Sequence, residues 1–133
     1  MRTNRRRLAL AAAGTGLAAV AITGCSSSTA SPAPGAAGST CGTTRTGANV
    51  SVVIKVAKGT VNCATVLNVE NGYASLLRHG QIRGNGGGAP VTVKGWTCQG
   101  YPTPQVLKTG DASECHTARA EVVAVIQLPA SGS

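Results

Sequence analysis

The sequence predicts an α+β domain, a small antiparallel sheet with one helix packed on one face and two disulfides. Three observations carry this. Apolar residues alternate over residues 50–57, recur at threes and fours over residues 62–79, and four cysteines lie at 41, 63, 98 and 115.

Val50, Val52, Ile54 and Val56 alternate with Ser51, Val53, Lys55 and Ala57, which gives a strand one apolar face until Lys58-Gly59 ends it. From residue 62 to 79 the positions Cys63, Val66, Leu67, Val69, Tyr73, Leu76 and Leu77 form one broad helical stripe, with Thr60 or Asn62 as its cap. Asn71-Gly72 argues against it, being a hairpin signal that would turn 66–70 and 73–77 into two short strands. The helix is favoured because the stripe is continuous and one internal glycine costs only about 1 kcal/mol.

Residues 84–90 are a glycine-rich connection. Gly84, Gly86 and Ala89 mimic a dinucleotide fingerprint, but Pro90 leads into a strand and opens no helix to meet a phosphate. The strand over 91–98 has a register problem: Val91 and Val93 share one parity, Trp96 and Cys98 the other. A bulge near Gly95 would bring all four to the core side, and Trp96 is read as core. Residues 99–113 are expected as an excursion, extended from Tyr101-Pro102-Thr103-Pro104 and turning at Thr109-Gly110-Asp111. A short strand through Cys115 and a strong one over 121–128 complete the meander.

Ahead of the domain, Arg2, Arg5, Arg6 and Arg7 precede an apolar run over residues 8–22, the layout of an export signal. The run falls short of the roughly 20 residues that a membrane-spanning helix needs. Ile22-Thr23-Gly24-Cys25 closes it in the form of a lipobox: small residues precede a cysteine whose thiol accepts diacylglycerol and which cleavage leaves as the new N-terminus. Two palmitate-class chains, at about 0.8 kcal/mol per buried methylene, hold a protein stably on a membrane. Arg5-Arg6-Arg7-Leu8 also resembles a twin-arginine export signal, without the residues that strengthen one, so the export route stays open. The expected layout is a signal peptide over 1–24, a Ser/Ala/Pro/Gly tether over 25–40, the domain over 41–129 and a frayed terminus over 130–133. The expected location is the outer face of the cytoplasmic membrane.

The formal charge of +8 owes four arginines to the signal; without residues 1–24 it is +4, from eight basic and four acidic side chains. The bases are scattered and the domain has three aromatic residues, so no nucleic-acid partner is expected.

With Cys25 assigned to lipid, Cys41, Cys63, Cys98 and Cys115 remain, an even number in an exported chain. Three pairings are open. Cys98 with Cys115 is favoured because both lie near the ends of strands joined by a loop, and Cys41 with Cys63 follows by elimination. No CxxC pair occurs and only His79 and His116 could add ligands, so no metal is expected.

A helix opening on Cys63, the run Gly95-Trp96-Thr97-Cys98 and Cys115 before a terminal strand resemble the small lipoproteins and secreted proteins of actinobacteria. The resemblance covers about 41–129. It implies fold and location, and no activity.

Glu70, Asp111, Glu114 and Glu121 are the carboxylates of the domain, and none is spaced as an acid/base pair. Ser113-Glu114-Cys115-His116 holds the letters of a nucleophile and base, but strand neighbours point to opposite faces. His79 is read as a favourable charge at the helix end. No catalytic residue and no cofactor is therefore expected. The expected function is an anchored binding or interaction module, with lipid at Cys25 and an envelope protein, polymer or small ligand at the loop carrying Tyr101, Gln105 and Lys108 or at the glycine loop. The alternative is an inhibitor or accessory factor of a cell-envelope enzyme.

Overall fold

The computed structural model describes residues 33–84 and 88–128. The signal, the lipobox with Cys25, part of the glycine loop and the terminus from 129 onward lie outside the described residues. Eight strands and two helices follow in order: β1 (Gly35–Ala36), β2 (Thr40–Arg45), β3 (Ser51–Lys58), β4 (Thr60–Val61), α1 (Cys63–Arg78), β5 (Val91–Val93), β6 (Trp96–Gly100), α2 (Thr103–Thr109), β7 (Asp111–His116) and β8 (Glu121–Ile126).

The fold is α+β, but its sheet is larger than expected and it has a second helix. Six antiparallel strands stand in the order β2-β3-β8-β7-β6-β5, and β1 pairs with β4 apart from them. The β5 to β8 segment is the anticipated meander, and β3 joins it through β8, with Val52 opposite Ile126, Ile54 opposite Ala124 and Val56 opposite Val122. That register collects apolar side chains on one face. Val52, Ile54, Val56, Val122, Cys98 and Cys115 are at most 2% exposed and share one buried cluster with Val66, Val69 and Tyr73 of α1. Burying each of the aliphatic groups is worth about 1.5–3 kcal/mol.

α1 is the helix that the apolar stripe favours. Asn62 is its N-cap, its side chain accepting from the Thr65 N–H at 3.0 Å. The hairpin signal at Asn71-Gly72 is overridden by packing: a Cβ on Gly72 would lie 2.9 Å from Val93 Cγ1, and the Asn71 amide oxygen accepts from the Thr44 hydroxyl.

Four expectations need correction. Gly95 makes no bulge. Lys94 and Gly95, at φ 50° and 83°, are the two-residue turn of a hairpin that places Val93 opposite Trp96 and Val91 opposite Cys98. Directly opposed residues share a face, so the turn removes the parity conflict. Second, the excursion after Tyr101 contains α2. Its prolines, Pro102 as N-cap and Pro104 in the first turn, occupy positions where a missing N–H does no harm, and left-handed Gly110 caps its end with an N–H to the Val106 carbonyl at 2.8 Å. Third, the folded unit begins inside the presumed tether, since Gly35 is buried and pairs with Val61. Fourth, β2 had no counterpart in the sequence reading; its side chains are Thr, Cys, Gly and Arg on an edge strand, with no apolar alternation to reveal them.

Cys41 is bonded to Cys63, which ties edge strand β2 to the first residue of α1, and Cys98 to Cys115, directly opposed across β6 and β7. Two glycines test the backbone. Gly95→Ala meets nothing within 4 Å and is expected to cost about 1 kcal/mol, from its positive φ alone. Gly59→Ala adds to a φ of 76° a Cβ only 2.3 Å from the Arg119 carbonyl oxygen, so urea unfolding should show a clearly larger loss than for Gly95→Ala.

Candidate functional site

The second half of α1, from Glu70 to Arg78, borders one cavity together with residues from the start of β3 and the end of β8. Of the sheet residues that border it, Gly100, Ala112, Ser113 and Ala124 are small, whereas Val52 and Ile126 are larger. On the other side, the β2–β3 connection meets the helix closely enough that a Cβ on Gly47 would lie 2.5 Å from Leu77 Cβ. The cavity has a volume of about 690 Å³, within the range that small-molecule sites occupy. Val52, Ala74, Leu77, Ile82 and Ile126 make most of its wall apolar.

A carboxyl borders it. Glu70 is 4% exposed, and its Oε1 has no hydrogen-bond partner among the described residues. Burial pushes its carboxyl from 4.5 up to about 7, because a carboxylate loses more hydration there than the neutral acid does. Burial first, and then the charge of Glu70, push the Tyr73 hydroxyl up to about 12. Ser113, 5% exposed, lines the same cavity, so both buried polar residues of the described chain face one space. At the exposed rim stand Arg45, whose Nη1 donates to the Asn49 carbonyl at 2.9 Å, and Arg78.

The anticipated binding loop is less free than an extended segment would be. Tyr101 borders the cavity and is held by its hydroxyl, which donates to Glu114; the same carboxylate accepts from Gln99 Nε2 at 2.8 Å. Burial first, and then that bond, raise the Tyr101 hydroxyl above its ordinary range. Gln105 is half-buried on α2, and Lys108, one turn later, is exposed.

His79 caps α1, its Nδ1 donating to the Ser75 carbonyl at 2.7 Å. Ser113 and Cys115 are buried on the core side, whereas His116 is half-buried with its Nδ1 4.0 Å from Glu114 Oε1, so no nucleophile meets a base there. Among the described residues no three His, Cys, Asp or Glu side chains gather as a metal set.

The sequence reading passed over Glu70 as a solitary carboxylate. Its signal was positional: it stands four residues after Val66 and four before Ala74, a charge within the apolar stripe. Comparison of the chain with family profiles, with curated proteins and with solved structures finds no match.

The raised carboxyl sets a pH dependence. Between 4.5 and about 7 the folded state keeps the proton that the unfolded chain releases, so this contribution is fully present below 4.5 and is lost as the pH rises through 7. The shift corresponds to about 3 kcal/mol. Glu70→Gln, which keeps the shape without the charge, should flatten the pH dependence of Tm and raise Tm above pH 7; an unchanged profile would contradict the buried, unpaired carboxyl.

Proposed function

We propose that this chain is a membrane-anchored extracytoplasmic binding module whose cavity between α1 and the sheet takes a small ligand. In this reading α1 is the one helix laid on the core face of the sheet, and its second half roofs the site. The observation that carries the reading is a largely apolar cavity of about 690 Å³ bordered by Glu70, whose buried Oε1 has no hydrogen-bond partner among the described residues. A core built for stability alone would fill such a space, because voids forfeit packing and unpaired buried polar groups cost about 1–3 kcal/mol. In this reading the module acts by binding: among the described residues that line the cavity, Glu70 is the one carboxylate and none is a His.

The anchor belongs to the same proposal. It rests on the lipobox ending at Cys25 and on the resemblance to small actinobacterial lipoproteins, which put the domain on the outer face of the cytoplasmic membrane. Intact mass of membrane-extracted protein should give a chain beginning at Cys25 and carrying diacylglycerol. An unmodified Cys25 would remove the anchor from the proposal.

For the cavity, native mass spectrometry of the full chain in lipid nanodiscs is expected to show a retained small molecule. Ala112→Phe, which puts a ring into the cavity, should lose it while keeping the circular dichroism of the parent. A molecule held equally by both, or by neither, would count against the cavity as the binding site.

A second reading, an inhibitor or accessory factor of a cell-envelope enzyme, is favoured by one feature of α2. Leu107 is 82% exposed on this short helix, beside Lys108. On that reading Leu107→Ser with Lys108→Ala leaves Tm unchanged and abolishes inhibition of an envelope hydrolase by the added protein. An effect on no hydrolase by either protein would eliminate it.

A further inference from the structure

We propose that the cavity selects an elongated amphiphile with a basic nitrogen at its inner end, an apolar body and an anionic group at its outer end. The inference rests on the cavity being the binding site and names the chemistry of its ligand.

The three parts come from three groups of residues bordering the cavity, on α1, on the sheet and on the segment after α1. At the inner end, an ionised carboxylate only accepts hydrogen bonds, and Glu70 Oε1 accepts none from the described residues. A ligand ammonium would supply donors and an opposite charge, which is what a buried carboxylate lacks. A second acid there would set two carboxyls against each other. In the middle, Val52, Leu77, Ile82 and Ile126 offer only apolar contact, so a ligand with polar groups along its body would leave them unsatisfied.

At the outer end the charges reverse. Arg45 and Arg78 stand exposed at the rim with no carboxylate among the lining residues beside them. Two guanidinium groups suit a carboxylate or phosphate, which they can bind in paired hydrogen bonds. They also repel a simple cation on its way in, so a plain amine is disfavoured and a molecule with no net charge is admitted. Glu70 and Arg78 are eight residues apart on one helix, a rise of about 12 Å along its axis, so the ligand's two charges are expected to be of that order apart.

The test uses the full chain in lipid nanodiscs, with empty nanodiscs as reference, titrated calorimetrically with ω-amino alkanoates of increasing length. The matching alkanoates and alkylamines, each carrying one of the two charges, serve as comparisons. The amino alkanoate that spans the two charges is expected to bind about tenfold or more tightly than either single-charge analogue. Glu70→Gln should abolish that advantage over the alkanoate, and Arg45→Gln with Arg78→Gln the advantage over the alkylamine. Both variants keep side-chain size, and circular dichroism checks their folding.

Alkanoates that bind as tightly as the amino alkanoates, with no effect of Glu70→Gln, would overturn the assigned chemistry and leave the cavity as a binding site. If no probe binds and Ala112→Phe also retains the molecule seen by native mass spectrometry, the binding site itself is wrong.

Discussion

The contact on which this structure depends is that of α1 with the sheet, fastened at one end and bordering a cavity at the other. The Cys41–Cys63 bond ties the first residue of the helix to edge strand β2, and the first half of the helix buries Val66 and Val69 completely. Closing that loop covalently contributes about 3 kcal/mol in the chain-entropy account. Farther along, small residues, Ala124, Ser113 and Ala112, stand where Val122, Cys98 and Cys115 stood, and with Val52 and Ile126 they border the cavity.

That arrangement explains why a carboxyl can stand within the core. Glu70 lies on the buried face because helical periodicity puts it in line with Val66 and Ala74, yet its Oε1 is shielded from water and has no hydrogen-bond partner among the described residues. The domain therefore carries an electrostatic cost at a place where it also has room. The polar network on the opposite side of the sheet is different in kind: Glu114 collects Tyr101 and Gln99, and these groups satisfy one another. Paired groups of this sort hold a structure together, whereas an unpaired one invites something from outside.

Much of the fold was legible in the residues. Period two announced β3, an apolar run announced β8, the three-and-four spacing announced α1 with Thr60 or Asn62 as its cap, and an even number of cysteines in the domain announced two disulfides. These features depend on neighbours within a few positions, so local pattern suffices. β2 and α2 escaped because their burial is slight: one is a polar edge strand, the other a short proline-led helix with no buried residue. The turn at Gly95 escaped for a related reason. A bulge and a two-residue hairpin both reverse side-chain parity, and only the pairing of Val93 with Trp96 tells them apart.

The sequence by itself determined the class of the fold and the apolar faces of its main strand and helix. Each is a matter of periodicity. Only the tertiary structure decided where the cavity lies and that Glu70 faces it, because the walls come from α1, the β2–β3 connection, β6, β7 and β8 at once. A cavity is what several packed elements fail to fill, and that depends on the summed sizes of side chains brought together from distant parts of the chain.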